Sequence, residues 1–188
     1  MGIVLTKCQK MNFLEFKVKL SCCRSSDDVF GQMEKLSKPR QVCGISVPED
    51  LNDITYGQLI ELQGITDNEQ LFYVPCQVLL GLNRVKVNAS DAEAIIGFVF
   101  WVAREVKRIN KLFEATNVKP TAEEEQARIE KLNFGPFGLI DYYALRMGLT
   151  NHDEVLALPW VRIYQCMRID SEKAKYERRL RKVYADKK

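Results

Sequence analysis

Between Ser90 and Ala115, Ile95, Val99, Val102, Val106, Ile109 and Phe113 recur at alternating steps of four and three. That spacing returns to one side of a 3.6-residue helix at every turn and scatters over both faces of a strand. A chain carrying this stripe must build its core around a long helix. Phe98, Phe100 and Trp101 widen the apolar surface of the first half, while Arg104, Glu105, Lys107, Arg108 and Lys111 make the second half two-faced. The first half is therefore predicted to be the centre of the core, with Trp101 part of it.

Start and stop signals place further helices around it. Thr55 and Gln58 have capping-box spacing for a helix over 55–63, closed near Gly64. Another short helix should reach about Leu82, with its regular part beginning near Pro75, since proline removes an amide and clashes inside a helix. Asn117–Pro120 ends the long helix. Thr121 and Glu124 offer a second capping box for a helix running to about Leu132, with Glu123, Glu124 and Glu125 favourably placed at its positive end. Pro136 and Gly148 bracket a core helix carrying Phe137, Ile140, Ala144 and Met147. A short helix begins at Thr150–Asp153 and stops before Pro159. The last helix runs from about Pro159 to Tyr184, with Trp160, Ile163, Met167 and Ala174 on one stripe and Ile169, Tyr176, Leu180 and Val183 on another.

The first fifty residues read differently. Leu14, Phe16, Val18 and Leu20 alternate with polar neighbours, the period of a half-buried strand. Gln41–Val47 reads as a second extended piece, and Ser21–Pro39 as a loop with a short helix near Val29–Leu36. The chain is thus predicted to be mainly α, α+β overall. Residues 1–50 form a small, partly β lobe, and 51–188 a helical bundle ending in a long basic helix.

Composition narrows the function. Hydrophobic residues make up 46% and charged residues 28% of the chain, a balance that folds. The six cysteines are irregularly spaced, and Cys22 and Cys23 are adjacent, which suits free thiols in a reducing compartment. Met1–Lys10 lacks the pattern of a secretory leader. The longest apolar run, Ala94–Ala103, is about half the ~20 residues that a membrane helix needs. A cytoplasmic protein without membrane attachment is expected; the Gly2/Thr6 pattern for myristoylation is too short to alter that.

A search for chemistry finds little. The single histidine, His152, sits among Asn151, Asp153 and Glu154, where small polar and acidic groups cap a helix N-terminus. No paired Cys or His spacing suggests zinc, and Gly135 and Gly138 around Pro136 carry no phosphate-loop lysine. No catalytic, cofactor or metal site is predicted. The charge is polarised instead. From Glu172 to Lys188, eight Lys or Arg stand against three acids, a local +5 that leaves −2 for the preceding 171 residues. Such charges commonly just solvate a terminal helix and complement its dipole. As a partner-binding surface, Arg178, Arg179, Arg181 and Lys182 with Tyr176 are the candidates, for an acidic protein before nucleic acid.

From Glu123 to Val183 the chain sets out a helix, a Phe134-Gly135 turn, an Ile140-Asp141-Tyr142 helix, a linker with Glu154 and Val155, and Pro159-Trp160 opening a basic helix. This order, with Ile45–Leu62 upstream, resembles small tail-assembly chaperone-type proteins of tailed phages and prophages, especially of Bacteroides-like hosts. The resemblance implies a non-enzymatic helical protein that binds the long tape-measure protein in the host cytoplasm before the tail tube forms. The alternatives are a structural protein retained in the tail or head-tail region of the virion, self-associating there in symmetric copies, and a nucleic-acid-binding regulator using the basic helix.

Overall fold

The computed structural model describes residues 11–21, 33 and 35–185. Among these the chain is mainly α with a small β part, as the sequence implies, but Gln41–Val47, read as one extended piece, is a two-stranded hairpin. In order the elements are α1 (Phe13–Ser21), β1 (Gln41–Val42), β2 (Ile45–Ser46), α2 (Tyr56–Gln63), α3 (Asn68–Leu80), α4 (Arg84–Ala89) and α5 (Ala92–Glu114). They continue with α6 (Ala122–Gln126), a 3-10 turn (Ile129–Lys131), α7 (Gly135–Met147), α8 (His152–Leu156) and α9 (Trp160–Ala185). The pattern at Gly2/Thr6, the start at Met1–Lys10 and Cys8, Cys22 and Cys23 lie outside the described residues. So does most of the helix expected over Val29–Leu36, of which Met33 is helical and fully buried.

Two compact units result. The first takes the described residues up to Leu51 together with Glu61–Lys107, and the second takes Asn52–Ile60 with Arg108 onward. In the first unit, Ile95, Ile96, Phe98, Val99 and Val102 of α5 are all buried, which confirms the first half of that helix as core. Trp101 is buried as well, with Lys38 Nζ over its ring at 4.7 Å. Phe13, Phe16, Phe72 and Tyr73 form an aromatic group, and the Tyr73 hydroxyl accepts from Lys17 at 2.9 Å and donates to Asn88 at 2.7 Å. The hairpin turn, Cys43 at φ 51° and Gly44 at φ 76°, has both central residues left-handed, the geometry that matches strand twist in a two-residue loop.

The segment Leu14–Leu20 is helical, not a strand. Phe16 and Leu20 fit either period, being four apart, but Phe13 and Phe16 are three apart and both fully buried, while Leu14 and Val18 are exposed. Asn12 fixes the choice: its Oδ1 accepts from the Glu15 amide at 2.8 Å and its Nδ2 donates to the Glu15 carboxylate at 2.9 Å, capping α1. Pro75 also lies inside α3 instead of opening it, because the Asp67 side chain caps the helix a full two turns earlier by accepting from the Gln70 amide at 2.7 Å. The short α4 was not foreseen; Asn83 caps it.

The second unit starts at the expected capping box. The Gln58 amide donates to Thr55 Oγ1 at 3.2 Å and the Thr55 amide to Gln58 Oε1 at 3.0 Å. An antiparallel bridge between Thr55 and Pro159, with the Tyr56 amide donating to the Leu158 carbonyl at 2.7 Å, fixes α2 against the start of α9. Phe113, Trp160 and Tyr164 meet in one aromatic group, with ring centroids 5.8–6.1 Å apart. α7 ends at Gly148 in a Schellman geometry, the Leu149 amide donating to the Ala144 carbonyl at 2.9 Å.

Two expectations change here. The Thr121–Glu124 capping box forms, yet α6 stops at Gln126 and Arg128 adopts φ 60°. A short helix needs a buried face to hold it, and α6 has none. On α7 the buried residues are Ile140, Tyr143 and Ala144, whereas Phe137 and Met147 are exposed.

Candidate partner-binding surface

α9 has two apolar faces. At about 100° per residue, Ile163, Met167, Ser171, Ala174 and Arg178 fall within one arc of roughly 80°. This is the inner face: Trp160, Ile163 and Ser171 are buried and Met167, Ala174 and Arg178 half-buried. Ile169, Tyr176, Leu180 and Val183 fall within an arc of roughly 60° on the opposite side. Along it Ile169 is 46%, Tyr176 57% and Val183 49% exposed. The second stripe read from the sequence therefore exists as a face with nothing over it among the described residues.

Beside that stripe, Arg168, Lys175, Arg179 and Lys182 occupy a further arc of roughly 60°. Lys175 pairs with Glu172 at 2.8 Å, and the Glu172 carboxyl is held below its ordinary value by Lys175 first and then by Arg179 and Arg168; Lys182 makes no salt bridge among the described residues. The five residues singled out from the sequence thus separate. Tyr176 is on the outer stripe, and Arg179 and Lys182 are on its basic flank. Arg181 is exposed and lies 3.8 Å from Glu177. Arg178 points inward instead. Its guanidinium donates to both carboxylate oxygens of Glu124, at 3.1 and 3.0 Å, and to the Lys119 carbonyl, holding the short α6 against α9.

Sequence reasoning missed a second junction. Tyr142 and Arg146 of α7 both donate to Asp170 of α9, and Arg146 also reaches the Tyr142 hydroxyl at 3.3 Å. The Tyr142 hydrogen bond first, then Arg146, hold the Asp170 carboxyl below its ordinary value, while burial and Asp170 push the Tyr142 phenol up to about 12. Tyr142 and Arg146 are one turn apart, a spacing that suggests a shared acceptor but does not name it.

A second apolar patch lies ahead of and along α7. Leu132 and Phe134 are exposed, as are Phe137 and Leu145, and Gly138 leaves room for the Phe134 side chain, which a Cβ there would meet at 2.6 Å. His152 packs edge-on to Phe137 and its Nε2 lies 3.5 Å from Asp141. Among the described residues no three His, Cys, Asp or Glu side chains gather to hold a metal ion, and no helix is long and apolar enough to cross a membrane. Cys43, Cys76 and Cys166 are free thiols; burial pushes Cys76 up to about 12. No known protein family, curated protein or solved structure matches the chain.

Proposed function

We propose that the chain is a non-enzymatic assembly protein that holds another protein on the apolar surface of its second unit. The observation carrying this reading is the distribution of exposed apolar side chains. Of the fourteen large ones among the described residues, ten lie between Ile129 and Tyr184, including the outer stripe of α9 and the patch at Leu132–Phe137. Apolar surface so gathered is a common mark of a protein interface. An amphipathic helix of a client would bury it without any chemistry being required of the chain.

The resemblance over Glu123–Val183 makes the client a long helical tail protein, the tape-measure protein of a tailed phage. The chain is then an assembly chaperone acting in the host cytoplasm. Tagged protein expressed in phage-producing cells should recover that protein from lysate and be missing from purified particles. Finding the chain in particles at fixed copy number would make it a structural component instead. Recovery of nucleic acid, released steeply by salt, would replace both readings.

A further inference from the structure

We infer that the outer face of α9 is a docking site for an amphipathic helix that carries acidic residues beside its apolar stripe. This rests on the reading of the chain as a protein-binding module and says which surface binds and what it selects.

The argument begins with spacing. Ile169, Tyr176 and Val183 are seven residues apart, and seven residues fall only about 20° short of two helical turns. The three side chains therefore follow one line, over roughly 21 Å at 1.5 Å per residue, which is the length of four turns of a facing helix. A helix anchored by one buried face ordinarily turns a charged face to solvent. Here the face opposite Trp160, Ile163 and Ser171 carries an apolar residue at one heptad position, Ile169, Tyr176 and Val183, with Leu180 beside them and Lys173 one heptad before Leu180, a seam that another helix can cover.

Charge then selects the occupant. Arg168, Lys175 and Lys182 repeat with the same seven-residue step along one border of the stripe, with Arg179 among them. A second copy packed antiparallel would lay this basic row against itself. Packed in parallel it would set Arg168 against Lys173 of the other copy. Both arrangements are opposed by like charge. A helix with Glu or Asp along its flank places opposite charges there, facing four cations, Arg168, Lys175, Arg179 and Lys182, that share the single carboxylate of Glu172 on this border.

The test uses the full chain and two labelled peptides of three heptads, with Leu at the core positions and either Glu or Lys at the flanks, read by fluorescence anisotropy. The Glu-flanked peptide should bind and the Lys-flanked one should bind at least tenfold more weakly. Tyr176→Glu, at an exposed position, should weaken the acidic peptide tenfold or more without moving the melting temperature. The double variant Arg168→Glu/Lys175→Glu should reverse the peptide preference. Equal binding of both peptides, binding that survives Tyr176→Glu, or a self-associated chain that Tyr176→Glu makes monomeric would each overturn the inference. A cellular partner still recovered by Tyr176→Glu would also remove this site while leaving the broader protein-binding reading intact. No peptide binding together with no cellular partner would remove both.

Discussion

Replacing Gly97 by alanine sets local propensity against packing. In the middle of α5 the change should help the helix, since alanine exceeds glycine there by about 1 kcal/mol. The first unit opposes it. A Cβ at position 97 would stand 2.6 Å from the Ser37 carbonyl oxygen, well inside the 3.4 Å at which ordinary contact begins. That carbonyl belongs to a strap that cannot withdraw cheaply. Lys38 lies over Trp101 and donates to the Glu49 carbonyl at 2.9 Å, Arg104 reaches the Leu36 carbonyl at 3.5 Å, and Pro39 stiffens the chain. Overpacking costs about 1–3 kcal/mol, and a 2.6 Å approach to a backbone oxygen belongs to the upper part of that range, about 2–3 kcal/mol. Set against the helix gain, the expected loss is about 1–2 kcal/mol, lowering the melting temperature by about 2–8 °C for a chain of this size. Urea unfolding followed by circular dichroism would measure it, with an unchanged slope showing that the unfolded state is the same. A variant as stable as the parent, or more stable, would refute the reasoning, because the strap would then have given way at no cost.

Other outcomes follow from the second unit. Ser171 is buried on the inner face of α9 with a hydroxyl that has no hydrogen-bond partner among the described residues, so Ser171→Ala should raise stability by about 0.5–2 kcal/mol in the same urea assay. Arg178→Ala should leave the global melting temperature nearly unchanged but release α6, seen as faster amide exchange over Ala122–Gln126. Asp170 is held below its ordinary pKa, so its contribution is complete above about pH 4 and is lost as pH falls through the depressed folded value. Asp170→Asn should accordingly lower stability at pH 7 and flatten the acid limb, read as urea midpoints from pH 7 down to pH 2.

Features governed by neighbouring residues were legible in the sequence. The capping boxes at Thr55/Gln58 and Thr121/Glu124, the Pro136–Gly148 bracket, and the α5 stripe depend on chemistry within a few positions, and each has its expected form. α1 was misread because Phe16 and Leu20 satisfy both periods and the deciding residues, Asn12 and Phe13, precede the alternation. Periodicity also names a face without saying what covers it. Phe137 and Ile140 carry the same signal, yet one is exposed and the other buried. The same limit applies to the outer stripe of α9, whose residues were legible but whose exposure was not. Nor can spacing show that Arg178 meets Glu124, 54 residues away, or that Asp170 receives Tyr142 and Arg146.

The inward turn of Arg178 alters the electrical size of the last helix. A count along the chain credits 172–188 with a local +5, in which Glu172 and Glu177 are already subtracted, and Glu124, outside that segment, offsets one charge more through Arg178. Among the described residues from Arg168 onward, the exposed cations without a salt bridge are then Arg168, Lys173, Arg179 and Lys182. Since Lys175, Arg178 and Arg181 are paired, the ionic-strength dependence of association should reflect fewer displaced ions than the eight cations counted along 172–188. At physiological ionic strength, where the Debye length is about 8 Å, such a set of charges orients a ligand at close range and has little power to gather one from afar.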